Sequence, residues 1–335
     1  MTITFIGTTF PTTYQWHVDE VALIKSIQTQ IHRTYPESNN LFINTTWFGP
    51  QFDNTEYAKF LNIVKYQQFD NIFLLAAADP VFLNAEQIAT VVNLSCATQS
   101  FLLGHFDTEY YFNFYSTVLP KYFKSYTLEE LVLTAPNWLF LNYNRKPRDH
   151  RTEFVNKLIS NGLDKHGVIT LGNKLTLGEK IDDYEEGNWG MPDTFGIPHD
   201  IHSLGNPTLW QTHFLNVVSE TEFWPWDNMF ITEKTWKPIL GLRPFLLNGQ
   251  TKIYKYLRDQ GFKTFTHYFE GIELENLKEF EVHDSIISVI KYLATLDKKE
   301  ILAMYNDMLP DLKHNRKRFF EFAQEQKSRA ENLFL

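Results

Sequence analysis

The chain has 335 residues, with 31 Lys+Arg against 40 Asp+Glu and a formal net charge of −9. At 43% hydrophobic and 21% charged, this is the composition of a globular protein, which excludes a disordered tail, a collagen or a disulfide scaffold. The acidic balance argues against broad binding to DNA or to an anionic membrane, and leaves room for a local basic cleft.

In chain order, residues 2–7 (TITFIG) read as a buried strand. Trp16 to His32 has helical spacing, with Val21, Ile24, Ile27 and Ile31 on one side. Residues 40–49 are strand-like, 55–67 helical, and 71–77 (NIFLLAA) a continuous apolar run ended by Asp79-Pro80. Residues 84–95 are helical and 100–104 form another short strand, followed by His105 and Asp107. Strand and helix alternate, the pattern of a parallel sheet wrapped by helices. Its strands are near-continuously apolar, as burial on both faces requires.

A second alternating series begins at 137–144 (NWLFLNYN). A loop and helix follow over 145–163, stopped by Gly162, then a strand at 167–172. Residues 173–208, rich in Gly, Asp, Asn and Pro, predict a long irregular excursion. Strands are expected at 214–220, 243–249 and 261–265, helices at 231–240 and 251–260, and a polar helical region over 284–330. The expected organisation is an N-terminal domain 1–135, a C-terminal domain 136–310 and a terminal helix 311–335.

Cys96 is the sole cysteine. It excludes an internal bridge or a thiolate zinc site and reads as a small buried apolar residue. The start lacks a basic leader region, and no apolar run approaches the ~18 residues of a spanning helix. The expectation is a cytoplasmic chain without membrane insertion. Aromatics make up 16%, which fits a ring-lined site and AT-rich coding equally well. No P-loop, G-x-G-x-x-G, H-E-x-x-H or G-x-S-x-G motif is present. The acids Asp182, Asp183, Glu185 and Glu186 read as a solvated loop rather than a metal site, and no metal is expected.

In open parallel sheets ligands bind beyond the carboxyl ends of the strands, so chemistry is sought in those loops. Thr232 is a plausible N-cap, and the helix it opens offers free N–H groups to an anion. Lys234 sits in the first turn of that helix, where the dipole disfavours a cation, a placement that a bound anion would explain. Glu233 suits ribose or sugar hydroxyls. On spacing alone, a Glu–Lys pair on a solvated helix face remains open. Residues 144–151 (NRKPRDHR) are strongly basic at the end of a strand. Arg145, Arg148 and Arg151 suit a planar grasp of phosphate; Arg145 ranks first and Arg151 second, although spacing does not decide which of them faces the ligand. For a catalytic base, Asp79 leads and His105 follows, both at strand ends. The basic run 313–318 (KHNRKR) reads as a solvated face, with contact to an anionic acceptor as the alternative.

The run from Phe230-Ile231-Thr232-Glu233-Lys234-Thr235-Trp236-Lys237-Pro238-Ile239 to Arg243-Pro244-Phe245-Leu246-Leu247-Asn248-Gly249 resembles the nucleotide-sugar motif of GT-B glycosyltransferases, in particular the fucosyltransferase type. It also resembles glycosyltransferase-like proteins of phages and large viruses, which would place the chain in the host cytoplasm. The resemblance covers roughly 140–265 and implies two Rossmann-like domains facing across a cleft, with C-terminal helices. It implies Glu233 on the ribose and Lys234 on the diphosphate, with Glu220 and Asp227 at its acidic strand end and loop. A nucleotide-diphosphate sugar would be the donor substrate, with no cofactor. Trp224, Trp226 and Trp236 are candidates to stack on a ring. The acceptor stays open: a glycan, a protein hydroxyl or a hydroxymethylated DNA base. A non-catalytic nucleotide-sugar or glycan-binding protein is the alternative of another class.

Overall fold

A computed structural model describes residues 3–6, 15–44, 58, 61–62, 64–65, 68–76, 85–94, 97–104, 109, 111–144, 147–171, 174–176, 204, 207–223, 229–269, 274 and 277–334. The chain is α/β and divides into two compact units. The first comprises Met1–Val118, Asp227–Phe230 and Ala323–Leu335, and the second Leu119–Trp226 and Ile231–Phe322.

The first unit holds a four-stranded parallel sheet in the order β1 (Ile3–Ile6), β2 (Asn40–Asn44), β3 (Asn71–Ala76), β4 (Gln99–Gly104). Helices α1 (Gln15–Thr34) and α2 (Ala85–Leu94) lie on its connections. Every residue of β2 and β3 is buried, as expected for strands covered on both faces. On one face Leu41, Ile43, Ile72, Leu74 and Ala76 pack with Val64 and Val91. On the other, Phe73 stacks on Phe101 at 4.7 Å, and Tyr35 and Phe334 close the ring cluster. The polar strand starts are paired rather than exposed: Asn71 Nδ2 donates to Asn40 Oδ1 at 2.8 Å.

The second unit holds a five-stranded sheet in the order β7 (Lys174–Thr176), β6 (Gly167–Leu171), β5 (Trp138–Asn142), β8 (His213–Ser219), β9 (Phe245–Asn248). Only β7 runs antiparallel. From β5 the chain moves to β6 on one side and later returns to β8 on the other. The carboxyl ends of β5 and β8 therefore flank a reversal of strand order, where open α/β sheets take ligands. The unit's helices of six residues or more are α3 (Asp149–Ser160), α4 (Pro207–Thr212), α5 (Glu233–Leu240), α6 (Lys252–Asp259), α7 (Glu279–Leu293) and α8 (Lys298–Glu331). Helix α3 stops as its sequence predicts. Gly162 takes the left-handed conformation at φ +66°, and Leu163 N–H bonds the Leu158 carbonyl at 3.0 Å.

The chain passes between the two units after Val118, Trp226, Phe230 and Phe322, the last of these within α8. Several expectations about local structure change. The last turns of α8 are held by the first unit, where Gln326 Oε1 accepts the Asn113 N–H at 2.9 Å and Phe334 joins the ring cluster. Residues 261–265 are not a strand, because the Asn315 side chain satisfies both backbone groups of Lys263, at 2.7 and 2.8 Å. The excursion 173–208 carries edge strand β7 and the start of α4. The helical stretch after 284 is interrupted between α7 and α8. There Asp297 Oδ1 accepts the N–H groups of Lys299 and Glu300 while Glu300 accepts that of Asp297, a capping box.

The run 313–318 is a solvated face only in part. Arg316 is buried, donating to the Phe123, Tyr126 and Leu240 carbonyls. Arg318 Nε donates to the Gln260 carbonyl at 2.7 Å. Only Lys313, His314 and Lys317 stay exposed. No helix among the described residues is long and apolar enough to cross a membrane.

Candidate functional site

The site is built on the loops that leave β5 and β8. After β5 the chain passes Tyr143 and Asn144 and enters α3 at Asp149. After β8 it passes Glu220–Phe223 and later enters α5 at Glu233. Buried amides brace the strand ends beneath these loops. Asn142 Nδ2 donates to the Val217 carbonyl at 2.7 Å and to Ser219 Oγ at 3.1 Å, and Asn248 Nδ2 reaches the same hydroxyl at 3.2 Å. Asn144 Nδ2 donates to Asn142 Oδ1 and to the Thr170 carbonyl. The sequence reading gives Asn142, Asn144, Ser219 and Asn248 no role of their own, although three of them fall within the runs it quotes. Their signal is a polar residue closing each apolar strand: LN, VVS and LLN.

Glu220 lies at the centre and is fully buried. Its Oε1 accepts the Thr232 N–H at 3.1 Å and the Thr235 hydroxyl at 2.6 Å. Its Oε2 accepts the Thr232 hydroxyl at 2.6 Å and the Thr221 N–H at 3.0 Å. Thr232 is the N-cap of α5, its hydroxyl accepting the Lys234 N–H at 3.3 Å. The Glu220 carbonyl is occupied too, by Arg151 Nη2 at 2.8 Å and by the Nε2–H of His150 at 3.1 Å. Gly249 lets the end of β9 pass close by, since a Cβ there would stand 3.0 Å from the Glu220 Cβ.

The outer layer is formed by Arg148, Thr221, Glu233 and Lys234. Lys234 Nζ lies 2.8 Å from Glu233 Oε1, 3.3 Å from Thr232 Oγ1 and 3.4 Å from Thr221 Oγ1. Arg148 Nη1 donates to the Thr221 carbonyl at 2.8 Å and pairs with Glu222 at 3.2 Å, its side chain 36% exposed. A small cavity beside this layer is lined by Tyr143, Trp210, Asn216, Glu233, Lys234 and Lys237, among others. The Glu–Lys pair thus borders a hollow and is not laid on an open helix face. Trp210, Lys237 and Asn216 gave no sequence signal of a role here.

An aromatic stack pins the loop after β8. Phe223 stacks on His150 at 5.2 Å and meets His283 in a tilted contact at 5.1 Å. Burial, reinforced by the Arg151 charge, lowers the His150 pKa to about 4, against the opposing bond to the Glu220 carbonyl. His283 is lowered as well, chiefly by burial.

The sequence candidates therefore fall into three groups. Arg148, Glu233 and Lys234 come together on the outside of the cluster. Glu220, Thr232 and Arg151 lie within it, Arg151 at 3% exposure with its guanidinium turned to a main-chain carbonyl. Asp79, His105, Arg145, Asp227, Trp224, Trp226 and residues 182–186 lie outside the described residues. Trp236 is not placed to stack on a ligand. It is fully buried among Phe262, Phe319 and Phe322. Among the described residues no group of three His, Cys, Asp or Glu side chains is arranged to hold a metal ion.

Neither family models, nor curated proteins, nor solved structures give a match to this chain.

Proposed function

We propose that the chain is a glycosyltransferase that moves a sugar from a nucleotide-diphosphate donor to an acceptor hydroxyl without a metal ion. One observation carries the reading. Lys234, Glu233 and Arg148 converge around Thr221, where the carboxyl ends of β5 and β8 flank the reversal of strand order. Cleavage of the donor builds negative charge on the leaving diphosphate. Fixed cations and the amides opening α5 stabilise that charge without reorganising. In this reading Lys234 and Arg148 take the phosphates, joined by Arg145, and Glu233 takes the ribose. Arg151 acts by holding the loop. Asp227 would order the loop after β8 or hold sugar hydroxyls.

The fuller arrangement, two Rossmann-like domains of the GT-B kind facing across a cleft, belongs to this proposal. So does an acceptor base from the first unit, Asp79 before His105. The acceptor is a glycan, a protein hydroxyl or a modified DNA base. Arg316 and Arg318 are engaged in internal contacts, so the 313–318 run no longer favours DNA among these.

The test is a thermal-shift panel of UDP-, GDP-, ADP- and CMP-sugars on the intact chain, since a ligand that binds the folded state raises its stability. A shift with a nucleotide-diphosphate sugar supports the reading, and none with any of them removes it.

A further inference from the structure

Resting on the donor-site reading above, we infer that Glu220 is a positioning residue for the phosphate-facing cations and does not itself touch the donor. Its carboxylate has no face left for a sugar hydroxyl. Each oxygen already accepts two donors, from Thr221, Thr232 and Thr235, and the side chain is fully buried. A buried carboxylate is tolerable only when saturated in this way.

What the saturation achieves is a fixed geometry between two separate elements. Through Thr232 and Thr235 the side chain sets the first turn of α5, the turn that presents Glu233 and Lys234. The Glu220 main-chain carbonyl holds Arg151 and His150 at the start of α3. The next carbonyl, that of Thr221, holds Arg148. One residue pair at the end of β8 therefore positions cations that belong to segments about 85 residues apart in sequence (148 to 234). Preorganised charge stabilises a developing anion only if it is held in place beforehand, and Glu220 supplies that constraint for Lys234.

The experiment compares wild type with Glu220→Gln and, as the milder lesion, Thr235→Val, with Thr235→Ser as the conservative control. Glu220→Gln sets an amide N–H against the donors that surround it. Thr235→Val deletes one of the four donors and leaves the carboxylate in place. Binding of UDP and GDP is measured by titration calorimetry beside uridine and guanosine, and backbone amide exchange is followed over 219–240. Positioning predicts that Glu220→Gln and Thr235→Val weaken the diphosphate at least 10-fold while the matching nucleoside changes less than 3-fold. Thr235→Ser should restore binding to within 3-fold. It also predicts at least 10-fold faster exchange at Thr232 and Lys234 in Glu220→Gln. Equal weakening of nucleotide and nucleoside, or unchanged exchange at Thr232 and Lys234, overturns the inference. If wild type binds neither UDP nor GDP, the donor-site reading falls for those nucleotides, and the exchange measurement alone decides the positioning role. Should Glu220→Gln not fold, the Thr235 pair decides it by the same readouts.

Discussion

The Thr232 hydroxyl donates to the Glu220 carboxylate at 2.6 Å while accepting the Lys234 N–H at 3.3 Å. One side chain thus caps α5 and ties it to the end of β8. Removing it costs the cap and leaves a buried carboxylate oxygen short of a donor. Thr232→Val should lower stability by about 2–3 kcal/mol, and Thr232→Ser by less than half as much. Urea unfolding of the intact chain measures both, and a valine variant as stable as wild type would show that the contact is not made in solution.

Lys234→Ala should weaken binding of the responsive nucleotide diphosphate by ~10-fold or more, the loss expected for one charge-assisted phosphate contact of ~1.5–3 kcal/mol. Arg148→Ala should cost less. Its side chain is 36% exposed against 22% for that of Lys234, and exposed charges are screened by solvent. Titration calorimetry at two salt concentrations separates the cases: the Arg148 effect should shrink with salt more than the Lys234 effect. The reverse order would exchange their roles.

Trp236 follows Lys234 by two residues and yet faces the interior, packed on Phe319 at 5.3 Å and Phe322 at 5.4 Å. Trp236→Ala should destabilise by about 3–5 kcal/mol through the cavity it opens, with a matching fall in Tm. A ligand-stacking tryptophan would instead leave Tm unchanged and reduce binding.

The His150 pKa, lowered to about 4 in the folded chain, stands below its unfolded value of ~6.5. Between these values the unfolded state binds more protons, so stability rises with pH across this window. It is full above pH ~6.5 and is lost as the pH falls toward 4. The linkage amounts to at most ~3 kcal/mol. His150→Phe keeps a ring against Phe223 and removes the proton, and should flatten the pH dependence of urea midpoints between pH 4 and 6.5. An unchanged slope would assign the acid lability to other groups.

Much of the fold is written in local pattern. The run NIFLLA can be buried on both faces only as an inner strand, and Gly162 sits where a helix needs a left-handed residue to stop. The alternation of such runs with amphipathic stretches gives two α/β units. Other features have no local signature. KHNRKR carries the composition of a wet surface, but Arg316 and Asn315 face carbonyls that stand 50 to 190 residues away in sequence. GFKTF looks like a strand, and its backbone is claimed by one asparagine of a distant helix. The capping box at Asp297–Glu300 has a local signature, Asp followed three residues later by Glu, but the continuous helical composition around it hides the break. In the site, the T-E-K stretch singles out Glu233 and Lys234. That Glu220 and Arg151 are internal, with Arg148 outside, depends on which side of a loop meets the protein. Residue spacing does not record this.

The central claim is that a nucleotide-diphosphate sugar binds at the amino end of α5. Thermal denaturation of wild type and Lys234→Ala, each with the sugar-nucleotide panel, tests it most directly. The account predicts a concentration-dependent rise in Tm for wild type with at least one nucleotide-diphosphate sugar, largely abolished in Lys234→Ala. No rise with any member, or an equal rise in both proteins, would contradict it.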